Sequence, residues 1–166
     1  MKMNHRQAFK KSKKHRYKLT CFSKRLCKTI SSDKTLNRKG IYFIYSDDEL
    51  VIGNKPKNSF LNDVVYPTKF LVNKIPKKGD ILYIGQTKRP MKKRAKELYK
   101  SLFERTNTEN CKHLGGHALS QISNYDSLII SFYADIRKNK PKDLEKQFLF
   151  EYSKKNGKLP FANMDF

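Results

Sequence analysis

Apolar and polar positions alternate along this chain in a way that separates a sparse, polar first quarter from a patterned remainder. The run "GIYFIYS" (40–46) is filled with β-branched and aromatic residues and predicts a strand. "DILYIG" (80–85) and "LIISFYA" (128–134) predict two more. Between the first two, Asp47-Asp48 marks a turn and "ELVIGNK" predicts a short strand ending in Gly-Asn. Residues 54–79 mix Pro, Asn, Gly and Lys around one apolar patch, "FLVNKI", and read as an irregular insertion or a small hairpin.

Helical spacing follows the second strand. Pro90 suits a first helical turn because it lacks the N–H that would be unpaired there. Met91, Ala95, Leu98 and Leu102 then form a stripe that can bury against a sheet. "PKDLEKQFLFEYSKKNG" (141–157) predicts a second helix, with Pro141 and Asp143 at its start, Gly157 after its end, and Leu144, Phe148, Leu149 and Tyr152 on its inner face. The tail "KLPFANMDF" is turn-like. Upstream, residues 1–16 read as a solvated basic arm, and Leu19, Phe22, Leu26 and Ile30 suggest a short amphipathic helix. The expected architecture is α/β, an α+β sandwich: a small three-stranded, partly antiparallel sheet flanked by helices. Residues 1–39 form a basic N-terminal segment, 40–166 the main domain, and 47–79 an insertion between its first two strands.

Composition sharpens this picture. The chain has 166 residues, enough for one domain, and its 37% hydrophobic content, with 9 Tyr and 11 Phe, fills one modest core. It carries 37 Lys and Arg against 15 acids, a net charge of +22 that attracts polyanions, nucleic acid foremost. Residues 1–39 contribute +13 of this. A lysine-rich composition also arises from genome bias, and an anionic membrane surface or a ribonucleoprotein is a further kind of partner. No apolar run approaches the roughly 18–20 residues of a membrane span, and no apolar stretch follows the basic N-terminus to make a signal peptide. Three cysteines (Cys21, Cys27, Cys111) without a CxxC pair fit reduced thiols in the cytoplasm. Cys111-x-His113-x₃-His117 lacks the fourth ligand and the spacing of a zinc module.

Taken singly, the polar residues near the strand ends are ordinary: strand tyrosines, a helix arginine, an acid in a first helical turn. Their order is not. Gly40-Ile41-Tyr42 is followed by Tyr83-Ile84-Gly85 with Gln86-Thr87, by Arg94 on the next helix, by Glu145 on the last helix and by Pro160-x-x-Asn163. Residues 40–166 thereby resemble the GIY-YIG nuclease family.

The resemblance implies a metal-dependent DNA endonuclease hydrolysing phosphodiester bonds with one divalent ion, Mg²⁺ or Mn²⁺. It implies that Glu145 holds the metal, Arg94 stabilises the phosphate, Tyr42 acts as general base, Tyr83 orients the water and Asn163 braces the site. These roles suit the chemistry, which needs positive charge, a metal and a proton acceptor around an anionic centre. A phenol is a poor base at neutral pH, so nearby charge, from Lys93 or Arg94, is expected to lower that of Tyr42. Gly85 is expected to let the backbone turn closely at the strand end. The helix cation of the family pattern falls on Lys93, with Arg94 one residue later and Arg89 a further alternative. A His or Tyr position of the family pattern is held by Leu98, with Tyr99 next to it; where a histidine is required, His113 or His117 could substitute, and His117 is a candidate site residue. Lys88, Arg89, Lys92, Lys93 and Lys96 are expected to bind phosphates, with RNA as an alternative to DNA and a homodimer as one route to cutting both strands. The contrasting reading is a non-catalytic basic nucleic-acid-binding protein that keeps the fold.

Overall fold

A computed structural model describes residues 3–22, 33–54, 65–103, 114–134 and 140–164. It is a mixed α/β structure built on a four-stranded antiparallel sheet, with five α-helices among the described residues. In chain order these are α1 (His5–Ser12), β1 (Arg16–Lys18), β2 (Gly40–Ser46), α2 (Thr68–Lys74), β3 (Ile81–Thr87), α3 (Met91–Phe103), α4 (Leu114–Ser120), β4 (Leu128–Tyr133) and α5 (Pro141–Asn156). The strand order is β1-β4-β2-β3, and every pairing is antiparallel. The expected three strands are β2, β3 and β4; the fourth, β1, comes from the basic N-terminal segment.

Residues 3–16 are not a solvated arm, and residues 17–22 form a strand end and a 3-10 turn in place of an amphipathic helix. Asn4 and Gln7 form a capping box that starts α1, each side chain accepting from the other's backbone N–H. Ala8 is buried on the sheet, Phe9 packs against Phe43 and Tyr45, and the buried Ser12 hydroxyl bonds that of Ser131. Glu151 of α5 accepts from the His5 backbone at 2.8 Å. Tyr17 enters β1, and Leu19–Phe22 is a 3-10 turn whose Leu19 and Phe22 join the core. Leu26 and Ile30 lie outside the described residues. Asp33 ties this region together, accepting from the Tyr17 hydroxyl (2.6 Å), His15 Nδ1 (2.9 Å) and the Thr35 backbone (2.8 Å).

Strand β2 is central and buried along its whole length, so its side chains supply both cores. Tyr42 and Ile44 face one layer with Ile130 and Phe132, covered by α3, α4, Leu71 of α2 and the tail residues Phe161 and Ala162. Ile41 and Phe43 face the other, with Ile84 and Tyr133, covered by α1 and α5. The register between β2 and β3 shifts at Leu82, a bulge that turns both Leu82 and Tyr83 towards the α3 core.

The helices follow their apolar stripes. Met91, Ala95, Leu98 and Leu102 are all buried on α3, and Leu144, Phe148, Leu149 and Tyr152 on α5. Pro141 opens α5 and Gly157, at φ 68°, closes it in the left-handed region that a glycine adopts without strain. Within the insertion, Ile52 makes a bridge to Ile122 in place of a strand, and "FLVNKI" contributes to helix α2 in place of a hairpin. Among the described residues, no helix is long and apolar enough to cross a membrane.

Candidate active site at the edge of strand β3

Register brings the two motif tyrosines together. Ile44 pairs with Tyr83 and Tyr42 with Gly85, so Tyr42, Tyr83 and Gly85 share one face of the sheet. The Tyr42 and Tyr83 rings lie 5.8 Å apart at 38°. Tyr42 is 1% exposed. Gly85 sits in mid-strand with no left-handed backbone, so the expected close turn is not its role. A Cβ there would collide with the Tyr42 ring and stand 2.6 Å from Tyr83 Cε1. The glycine makes room for the tyrosine.

Helix α3 lays Arg94 over this face. Its Nε donates to the Tyr42 hydroxyl at 3.2 Å, and its guanidinium carbon lies 5.9 Å from the ring centre. Lys93 is exposed, so the helix cation at the tyrosines is Arg94. Arg89 is exposed and held bidentate by Glu97, at 2.7 and 2.8 Å. Glu97 also stands 3.8 Å from Arg94 Nη1, an i,i+3 pair that helps to aim the guanidinium. Lys88, Lys92 and Lys96 are exposed alongside.

Glu145 approaches from the other layer, on the first turns of α5. Its carboxylate accepts from the Gln86 backbone at the outer edge of β3. Burial pushes this carboxyl up to about 7, against the opposing pull of Arg94, the Gln86 hydrogen bond and Lys142. Asn163 occupies the same edge: its Nδ2 donates to the Ile84 carbonyl and its Oδ1 accepts from the Ile84 N–H, both at 2.9 Å. Asn163 therefore holds the strand between Tyr83 and Gly85, with its side-chain amide engaged on the Ile84 backbone. One further rung comes from the tail, where the Ala162 N–H donates to the Leu82 carbonyl at 2.8 Å.

Both phenols titrate above their ordinary range. Burial raises Tyr42, and the charge and hydrogen bond of Arg94 pull it back without reversing the rise. Tyr83 is raised well above, by burial first and then by Tyr42 and Glu145. The expectation that positive charge lowers the Tyr42 phenol is thus overturned: the ring is enclosed more completely than Arg94 compensates, and Lys93 is exposed to solvent. At neutral pH both hydroxyls keep their protons and serve as hydrogen-bonding groups.

His117 stands apart. Burial alone lowers its pKa, no charge of the tyrosine group acts on it, and its Nδ1 has no partner among the described residues. It belongs to α4, packed against α3. Cys111 and His113 lie outside the described residues. Among the described residues, no three His, Cys, Asp or Glu side chains gather as metal ligands. A hard ion such as Mg²⁺ takes one or two protein carboxylates and completes its shell with water and phosphate. Glu145, half-buried and within electrostatic reach of Arg94, Tyr42 and Tyr83, is a carboxylate that could hold such an ion.

Sequence reasoning missed Gln86, whose backbone anchors the carboxylate, and Glu97, which holds Arg89 and steadies Arg94. The Arg94–Glu97 spacing was a usable signal for the second; nothing local signals the first. Comparison with protein-family models, curated proteins and solved structures returns no match.

Proposed function

We propose that the chain is a metal-dependent endonuclease of the GIY-YIG type, acting on DNA. The observation that carries this reading is the convergence of Tyr42, Tyr83, Arg94 and Glu145 at one end of β3, from four elements and more than 100 residues of sequence. A merely structural cluster has little reason to combine a buried and a partly buried phenol, a partly buried arginine and a carboxyl raised towards neutrality.

Glu145 would hold the ion, Mg²⁺ or Mn²⁺, and when bound that ion supplies positive charge at the phosphate and acidifies a water. Arg94 lies where its guanidinium can balance the charge that develops on the phosphate oxygens. The hydroxyls of Tyr42 and Tyr83 orient the attacking water by hydrogen bonds; with both phenols raised, neither is a ready base in the resting chain. Asn163 keeps Tyr83 in register with Tyr42. The exposed Lys88, Lys92, Lys93 and Lys96 supply phosphate contacts that favour affinity over sequence choice.

Incubating supercoiled plasmid with Mg²⁺ or Mn²⁺ tests the reading. Nicked or linear product that requires both the metal and Glu145 is expected. Salt-sensitive binding with no cleavage of plasmid, single strands or RNA would replace it with the non-catalytic nucleic-acid-binding reading.

A further inference from the structure

The insertion between β2 and β3 ends in a line of side chains leading to the Tyr83 edge. Tyr66, Phe70 and Lys74 are spaced by four residues and fall on one side of α2 and the turn before it. The rings of Tyr66 and Phe70 stack, with centroids 6.1 Å apart and planes at 26°. Lys74 Nζ lies 5.6 Å from the Phe70 ring centre and donates to the Asn163 backbone carbonyl at 3.5 Å. Asn163 in turn holds Ile84, the residue between Tyr83 and Gly85. The line therefore runs from an aromatic pair, through a cation, to the strand that carries the proposed reacting group.

The character of this face selects its occupant. Phe70 is 45% exposed, so its stacked ring presents a face to solvent. Residues 65–78 hold four lysines (Lys69, Lys74, Lys77, Lys78) and no acid. An aromatic pair with Lys74 over one ring, on a lysine-rich segment, matches a polymer that offers flat bases on an anionic backbone. A paired duplex keeps its base faces hidden in the stack, so the face suits unpaired nucleotides.

We propose that Tyr66, Phe70 and Lys74 form a stacking platform for an unpaired base beside the scissile phosphate, so that the preferred substrate has single-stranded character at that point. The inference rests on the nuclease reading for the position of the scissile phosphate; the stacking face itself does not.

The chain contains no tryptophan, so Phe70→Trp introduces a unique fluorophore on the platform. In the full chain carrying Glu145→Gln, to prevent cutting, this variant is titrated with a short single-stranded DNA and with the blunt duplex made from it. Saturable quenching by the single strand, and much less by the duplex, is expected. Phe70→Ala in the same background should weaken single-strand binding about tenfold by anisotropy and change duplex binding by no more than about twofold. Single-strand binding that leaves the tryptophan emission unchanged would overturn the proposal. So would Phe70→Ala dissolving a dimer in sedimentation, which would assign the face to a second copy of the chain. Circular dichroism verifies the fold of each variant. Plasmid cleavage by the wild-type chain separates the two readings: cleavage without quenching sinks the platform alone, and quenching without cleavage sinks the nuclease alone.

Discussion

Gly85 stands directly opposite Tyr42 in the β2–β3 ladder, and the Tyr42 ring fills the space where a side chain at Gly85 would begin. Neither residue can be changed in size without moving the other. Gly85→Ala forces the ring, the Tyr83 edge or the strand to shift, at a cost of about 1–3 kcal/mol by overpacking. Thermal denaturation should show the variant melting several degrees lower, with Arg94 losing its seat on the Tyr42 hydroxyl. An unchanged melting temperature would mean that the ring is not confined as described.

Glu145 makes the active edge a source of instability. Its folded-state pKa of about 7 lies above the ordinary 4.5, so the folded chain binds this proton more tightly than the unfolded chain. The contribution of this group to stability is therefore greatest below pH 4.5 and declines as the pH rises towards 7. Glu145→Gln removes the decline. Discounting for partial exposure, the variant should be more stable than wild type by about 1–2 kcal/mol at pH 8 and no more stable at pH 4. Melting curves at the two pH values decide it, and equal shifts at both would show that the carboxyl is not perturbed.

Arg94 and Lys93 are neighbours in sequence and opposites in placement. Under the proposed function, Arg94→Ala should lower the cleavage rate by a factor on the order of 10²–10³, the size associated with losing a charge-stabilising donor. Lys93→Ala should change it only a few-fold, through weaker phosphate binding that added salt masks. Single-turnover rates on plasmid at two salt concentrations distinguish these effects, and a larger loss for Lys93→Ala would put the wrong residue at the phosphate.

Asp33 welds the N-terminal segment to the sheet. Burial would raise its carboxyl, but the hydrogen bonds from Tyr17, the Thr35 backbone and His15 together bring it down to about 2. A depressed carboxyl stabilises the fold above its unfolded value of 3.8, and that stability is lost as the pH falls through about 2. Asp33→Asn should cost about 2 kcal/mol at pH 7, with the difference from wild type shrinking between pH 4 and pH 2. Urea unfolding across that range tests it. By the same logic, deleting residues 1–39 strips β1 and α1 from the sheet, and the product should fail to fold rather than merely bind nucleic acid less tightly.

Much of this architecture is legible in the chain. The strands over 40–46, 80–85 and 128–134 announce themselves by dense β-branched and aromatic residues, and α3 and α5 by long stripes with Pro and Gly at fitting ends. The N-terminal segment misleads because α1 buries His5, Ala8 and Ser12, small or polar residues that do not stand out as an apolar stripe among the lysines. Its one clear local sign is the Asn4-x-x-Gln7 capping box. Helix α4 hides behind Gly115-Gly116, which reads as a turn, and is held by Ala118 and Leu119 in the α3 core. At the site, residue identities and order are readable, whereas the direction of the Tyr42 shift is not. It depends on how fully two layers close over one ring, which no linear pattern encodes.

The outer margin of β3 has a consequence for how the chain behaves in company. A sheet's last strand offers a row of bare amides on which another polypeptide can pair. Here Ala162, Asn163 and Glu145 cover Leu82, Ile84 and Gln86 in turn, so the residues that frame the site also close the sheet against recruitment of a stranger. The proposed site and the closed sheet edge depend on the same few atoms, and a lesion in the tail would expose the bare strand together with a misaligned tyrosine.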